Sequence, residues 1–160
     1  MRIRPAVVRD KSFILGLAHR LVEFGPVPGR DAAQMIARDR AVLADALEST
    51  TSDSAVFIAE DERGSLGFIH LTTTDDYYTG GVAAHVADVV VRPDAGGRGV
   101  GSALLTYAEG WAREQGLSLL TLNVFVQNEA AREVYRRRGW REEWIRCVKR
   151  VQHTAEPVRQ

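Results

Sequence analysis

Residues 91–102 read VRPDAGGRGVGS, and the apolar pattern ALLTYAEGWA follows directly at 103–112. Four glycines, Gly96, Gly97, Gly99 and Gly101, fall within six positions. Glycine gives up more backbone entropy on ordering than any other residue, so such a cluster weakens a fold unless the backbone must turn there or something must approach it closely. Upstream, AAHVADVVV (83–91) ends in a continuously apolar run, as in a strand covered on both faces. Downstream, Leu104, Leu105, Ala108, Trp111 and Ala112 recur at helical spacing, and Gly116 stands at a C′ position that would end the helix. A strand, a glycine loop and a helix start form a layout that binds anions. The first helical amides have no intrahelical partner, the helix dipole adds positive charge there, and glycines let a phosphate come close. Arg98 adds a charge beside them.

The rest of the chain supplies a mixed sheet for this unit. IRPAVV (3–8) reads as a first strand with Pro5 at a sheet edge or bulge, and Asp10 as the N-cap of a helix carrying Ile14, Leu17, Ala18 and Leu21. FGPVPG (24–29) breaks that helix. A second helix runs from about Asp31, with Ala32, Ile36, Leu43 and Leu47 on one face and Arg40 interrupting it. STTSDS (49–54) is a polar loop; AVFIAE, DERG and SLGFIHLTTT (55–74) make a hairpin; DDYYTGG (75–81) is a polar, aromatic loop. LSLLTLNVFV (117–126) is another buried strand. Asn128 caps a helix carrying Ala130, Ala131, Val134, Tyr135 and Arg138, ended by Gly139, and WREEWIRCVKRV (140–151) supplies one or two last strands. The expected fold is α/β (α+β): a mixed, mostly antiparallel sheet of six to seven strands with a parallel central pair, flanked by about four helices. One domain spans 1–152, with a polar tail at 153–160.

Composition sets the class. The chain has 160 residues, 45% hydrophobic and 26% charged, enough for a core without disulfides or metals. Lys plus Arg and Asp plus Glu are 21 each, which gives no basic footprint for nucleic acid or an anionic membrane. No apolar run reaches the length of a membrane span, no signal peptide is visible, and a lone Cys147 fits a reducing compartment, so the reading is cytoplasmic. Cys147 reads as a buried structural thiol. His19, His70 and His153 show no metal-ligand spacing, and no metal is expected.

Two phosphate motifs fail on this loop. A Walker A loop with Gly96 and Gly101 would need Lys and Ser/Thr where Ser102 and Ala103 stand, and the dinucleotide fingerprint would need glycine at Ser102 or Leu104. The stretch VVVRPDAGGRGVGSALL instead resembles the acetyl-coenzyme A loop of the GNAT family of N-acetyltransferases, with Gly99 and Gly101 as its last two elements. Gly96 stands where that pattern carries Gln or Arg. A second block, NEAAREVYRRRGW (128–140), resembles the family's N-x-x-A-x-x-x-Y-x-x-x-G-F, with Asn128, Ala131, Tyr135 and Gly139 in register and Trp140 for the Phe. The motifs are specific from Ala83 to about Trp144.

The resemblance implies the acyl-CoA N-acyltransferase fold and direct attack of a primary amine, of a small molecule or a peptide, on bound acetyl-CoA. It implies that Gly96, Gly97, Arg98, Gly99, Val100, Gly101 and Ser102 bind pyrophosphate. The pantetheine arm would lie between Val89–Val91 and Asn123–Phe125, with Asn128 as a further contact. A backbone amide near Val89 or Val90 would hold the oxyanion. Tyr135 matches the tyrosine beside the sulfur, where a phenol can protonate the thiolate. Asp88 is the first candidate for the base and His85 the second. Glu23, Phe24 and Tyr78 are candidates for the acceptor pocket, and homodimers are common in the family. Two other readings are a non-catalytic acyl-CoA sensor or interaction module and a nucleotide-binding domain.

Overall fold

The computed structural model describes residues 1–25, 27–49, 51 and 53–151; the tail 153–160, with His153, lies outside them. In chain order its elements are β1 (Arg2–Pro5), α1 (Lys11–Leu17), α2 (Ala32–Glu48), β2 (Ser54–Asp61), β3 (Gly64–Asp75), β4 (Val82–Val91), α3 (Val100–Glu114), β5 (Leu120–Leu122) and α4 (Glu129–Arg137). Short 3-10 turns cover Val8–Asp10, Ala18–Val22 and Pro93–Ala95. The sheet has the order β1-β2-β3-β4-β5. β1 to β4 pair antiparallel and β4 pairs β5 in parallel. Pro5, which cannot donate to a ladder, sits on an edge strand as its chemistry requires.

Strand side chains alternate between faces, and each face of this sheet is covered. On one, Phe57, Ile69, Leu71, Ala84 and Val86 pack with Val100, Leu104, Leu105, Ala108 and Trp111 of α3. On the other, Val56, Ile58, Phe68 and Val90 pack with Ile14 and Leu17 of α1 and Leu43 of α2. The helix ends follow their sequence signals. Asp31 accepts from the Gln34 amide at 2.8 Å to cap α2, Asn128 accepts from Ala131 at 3.2 Å to cap α4, and Gly116 and Gly139 take φ of 72° and 84° past α3 and α4.

Several expectations are corrected. The sheet has five strands among the described residues, not six or seven, because 140–151 forms no strand. Glu142 is drawn to Arg132 of α4 at 2.7 Å, which ties the segment to the helix instead of to a sheet edge. Trp144, Ile145, Val148 and Val151 are exposed along it, and so is Cys147, which is not a buried thiol. The strand expected at 117–126 shrinks to β5. Leu117 is spent on the end of α3, donating to Ala112 O at 2.9 Å, and Phe125 on the turn into α4, where its carbonyl accepts from Asn128 N at 2.9 Å. Asp10 does not cap α1 with its side chain. It is buried, accepts from the Val7 amide at 2.8 Å and forms a two-pronged ion pair with Arg4 at 2.7 and 2.9 Å. A guanidinium outbids helix amides for a buried carboxylate.

Candidate functional site

The glycine loop leads from β4 into α3. Gly97 and Gly99 adopt φ of 73° and 78°. A Cβ at either would meet nothing within 4 Å, so it is the left-handed backbone, not crowding, that requires glycine there. Gly99 is the N-cap of α3 and, having no side chain, caps none of its amides. The first intrahelical bond runs from Ala103 N to Gly99 O at 3.0 Å. The amides of Val100, Gly101 and Ser102 therefore precede the helical ladder and carry the positive end of a 15-residue helix dipole. Arg98 is half-exposed at the loop's rim, with its guanidinium 2.7 Å from Asp61 of β2, which holds the Asp61 carboxyl below its ordinary range. The positive charge expected at the loop is thus already paired across to the hairpin.

β4 and β5 pair over three positions, from Ala84 with Leu120 to Val86 with Leu122. β4 continues to Val91 while β5 ends at Leu122, so Val89–Val91 and Asn123–Phe125 both lie past the last paired residues. Val89 and Val91 contact the α3-side core and Val90 the α1/α2-side core. Phe125 stacks on Phe24, centroids 5.0 Å apart, tying the end of the α1 region to the chain beyond β5.

A β-bulge decides which β4 side chains face α2. His70 pairs with Asp88 and Leu71 with Val86, which leaves Ala87 unpaired. His85 and Asp88, three apart, would otherwise point to opposite faces. With the extra residue they oppose Thr72 and His70, which are two apart on β3 and share one face. That face carries Phe68 and Val90 beneath α1 and α2. There Asp88 Oδ2 lies 3.1 Å from His70 Nδ1, while His70 Nε2 lies 3.0 Å from Ser54 Oγ. His70 is 3% exposed. His85 Nδ1 meets Thr121 Oγ1 of β5 at 2.8 Å. Burial pushes the His85 pKa down; the Asp88 charge opposes this and His70 adds to it. Burial also raises the carboxyl of Asp39 on α2, with the Asp88 charge reinforcing it.

Tyr135 packs from α4 against the core on the α3 side, its ring 6.0 Å from Trp140. Burial pushes its phenol upward. Tyr135 and the Asp88 group thus attach to opposite faces of the sheet, on either side of the place where β4 and β5 part. Glu23 ends the turn after α1, is ion-paired with Arg20 at 3.1 Å and lies 3.3 Å from His19 Nε2. Tyr78 is exposed on the β3–β4 loop, edge-on to Tyr77. Arg136 pairs with Glu129 and Glu133, and Arg138 with Glu109 at 3.1 Å, so this basic run is spent within the surface of the fold.

His70, Ser54, Thr121 and Asp39 join the site without having been singled out for it. The one signal was His70 as the polar residue inside the apolar run of SLGFIHLTTT.

The model of the acetyltransferase (GNAT) family matches residues 18–140. An uncharacterized N-acetyltransferase of Bacillus subtilis, YhfO, is 30% identical over 143 residues, covering 89% of this chain and 91% of that protein. An uncharacterized N-acetyltransferase of Methanocaldococcus jannaschii is 38% identical over 73 residues, 42% of this chain; the match spans 32% of that longer protein. A solved structure described as an acetyl transferase from Pyrococcus furiosus superposes with a TM-score of 0.72 at 25% identity, covering 94% of this chain and 99% of its own. Matched over most of its length by the family model, and with the uncapped glycine loop at the start of α3, this chain belongs to the GNAT acetyltransferase family.

Proposed function

We propose that the protein is an N-acetyltransferase that moves the acetyl group of acetyl-CoA to a primary amine by direct attack in a ternary complex. The observation that carries this reading is the uncapped start of α3 beside the point where β4 and β5 cease to pair. The free amides of Val100, Gly101 and Ser102 suit a pyrophosphate, with Gly96 to Gly99 lining the approach. The gap past Val86 and Leu122 suits the pantetheine arm, and brings the thioester between the faces that carry Asp88 and Tyr135.

The chemistry then divides between them. An alkylamine with a pKa of about 10 arrives protonated at neutral pH. Asp88, directly or through a water, takes one proton; His85, held neutral by burial, is the second candidate. The freed lone pair attacks the thioester carbon, and an amide near Val89 or Val90 donates to the oxyanion. As the C–S bond breaks, Tyr135 gives its proton to the thiolate. The phenolate is reset by the proton that the attacking nitrogen sheds on becoming an amide. Asp39 and Asp88 suit a cationic acceptor, and Glu23, Phe24 and Tyr78 border its approach.

A panel of amines assayed for free CoA release tests this reading. Turnover with one class of amine supports it. Acetyl-CoA binding by thermal shift, with no turnover across the panel, favours a non-catalytic acyl-CoA sensor; stabilisation by ATP or NAD in place of CoA favours a nucleotide-binding domain.

A further inference from the structure

We infer that His70 is a positioning residue, which fixes the Asp88 carboxylate for its work on the acceptor amine; this rests on the reading of Asp88 given above. Three side chains from three adjacent strands meet on one face of the sheet: Asp88 of β4 directly opposite His70 of β3, and Ser54 of β2, opposite Thr72, reaching His70 diagonally. The two contacts are 3.0 Å from Ser54 Oγ to Nε2 and 3.1 Å from Nδ1 to Asp88 Oδ2. An ionised carboxylate accepts and cannot donate, so the neutral ring carries its proton on Nδ1 and Nε2 accepts from the Ser54 hydroxyl. Both ring nitrogens are thereby satisfied within a site where the side chain of His70 is 4% exposed. An unpaired imidazole nitrogen there would cost the full desolvation of a polar group.

The consequence concerns the carboxylate. Asp88 stands just beyond the Ala87 bulge, where regular pairing is interrupted. A bond to Oδ2 from a ring that is itself locked by Ser54 removes the free rotation of the carboxylate and leaves Oδ1 for the amine. His70 touches neither acceptor nor cofactor in this arrangement. It acts through Asp88, and its loss lowers kcat while the KM for acetyl-CoA stays unchanged.

Three substitutions separate this role from simple packing. In His70→Asn the amide nitrogen stands close to where Nδ1 stood and can donate to Asp88. In His70→Gln the longer amide reaches toward Ser54 instead. In His70→Leu both contacts go. The expected order of kcat is wild type, then Asn, then Gln and Leu, with Leu about 10- to 100-fold down and thermal melting confirming that each variant is folded. A folded His70→Leu enzyme with wild-type kcat overturns the inference, as does equal loss in all three variants. If His70→Leu does not fold, nitrogen-15 spectra of the wild-type imidazole decide: Nδ1–H in the wild type, released in Asp88→Asn, supports the assignment, and Nε2–H in the wild type overturns it. Those spectra need no turnover, so they separate the outcomes. No turnover by the wild type with any amine sinks the acetyltransferase reading alone. A fully active Asp88→Asn sinks the role of Asp88 and that of His70 with it.

Discussion

Gly67 of β3 lies so close to Val90 of β4 that a methyl group on its Cα would stand 2.5 Å from the Val90 carbonyl oxygen and 3.1 Å from the Val91 Cα. Both obstacles are backbone, so neither can swing aside. Gly67→Ala must push β3 and β4 apart at Val90 and Val91, the stretch of β4 proposed above to flank the thioester. The expected cost is about 1–3 kcal/mol of stability, read as a lower melting temperature, together with a raised KM for acetyl-CoA. A variant that melts with the wild type would show that the two strands separate freely.

Removing the Tyr135 hydroxyl tests the proton donor. Tyr135→Phe keeps the packing of the ring on Trp140, so the fold and acetyl-CoA binding should persist while kcat falls about 100-fold. Because burial raises the phenol pKa, the donor form survives to higher pH than a free phenol at about 10. In a pH profile the alkaline loss of kcat that belongs to Tyr135 should therefore begin above that value and be absent from the Phe variant.

The Arg98–Asp61 pair makes an opposite kind of prediction, a gain. Asp61→Asn releases a guanidinium at the rim of the glycine loop. Affinity for CoA should improve only modestly, because a solvent-screened ion pair holds its partners weakly, and Arg98→Ala should weaken it. Titration calorimetry with CoA, with and without added salt, reads both. Unchanged affinity in both variants would remove Arg98 from the phosphate site.

Arg4 and Asp10 set an acid limit on the fold. The carboxyl of Asp10 is held below its ordinary range chiefly by the bond to Arg4, although burial works against this. The folded chain therefore binds a proton at Asp10 less readily than the unfolded one. The resulting stability is fully present above the ordinary carboxylate value of about 3.9 and is lost as the pH falls through the lower folded value. Arg4→Met, which strands a buried carboxylate, should cost about 3 kcal/mol near neutral pH. Denaturant melts of the two proteins should converge as Asp10 becomes protonated; parallel curves at all pH values would deny the pair its role.

Much of this was legible in the chain because its punctuation is local. Gly116, Asn128 and Gly139 each act on their immediate neighbours, so these helix ends could be read from spacing alone. The glycine loop ahead of α3 was legible for the same reason. Asp10 was misread because its partner Arg4 lies in another element, and the choice between capping and ion pairing depends on how that element docks. The segment 140–151 has strand-like composition, yet Glu142 is claimed by α4, which no window of sequence reveals. His70 escaped notice as a site residue because its meaning depends on the register of three strands at once.

The unpaired Ala87 makes β4 a matter of odd and even. Counting from either end of an ordinary strand, parity alone says whether a side chain faces α3 or faces α1 and α2. Here the count changes midway, so His85 and Asp88 fall in one class although an odd number separates them. Losing Ala87, or gaining one residue beside it, would trade the two classes over half the strand: His85 would turn toward the α3 core and Val86 toward α1 and α2. Changes in length in the loop at 76–81 leave this parity untouched, because the loop lies outside that count. Between His85 and Asp88 a chain of this design can grow or shrink only in steps of two.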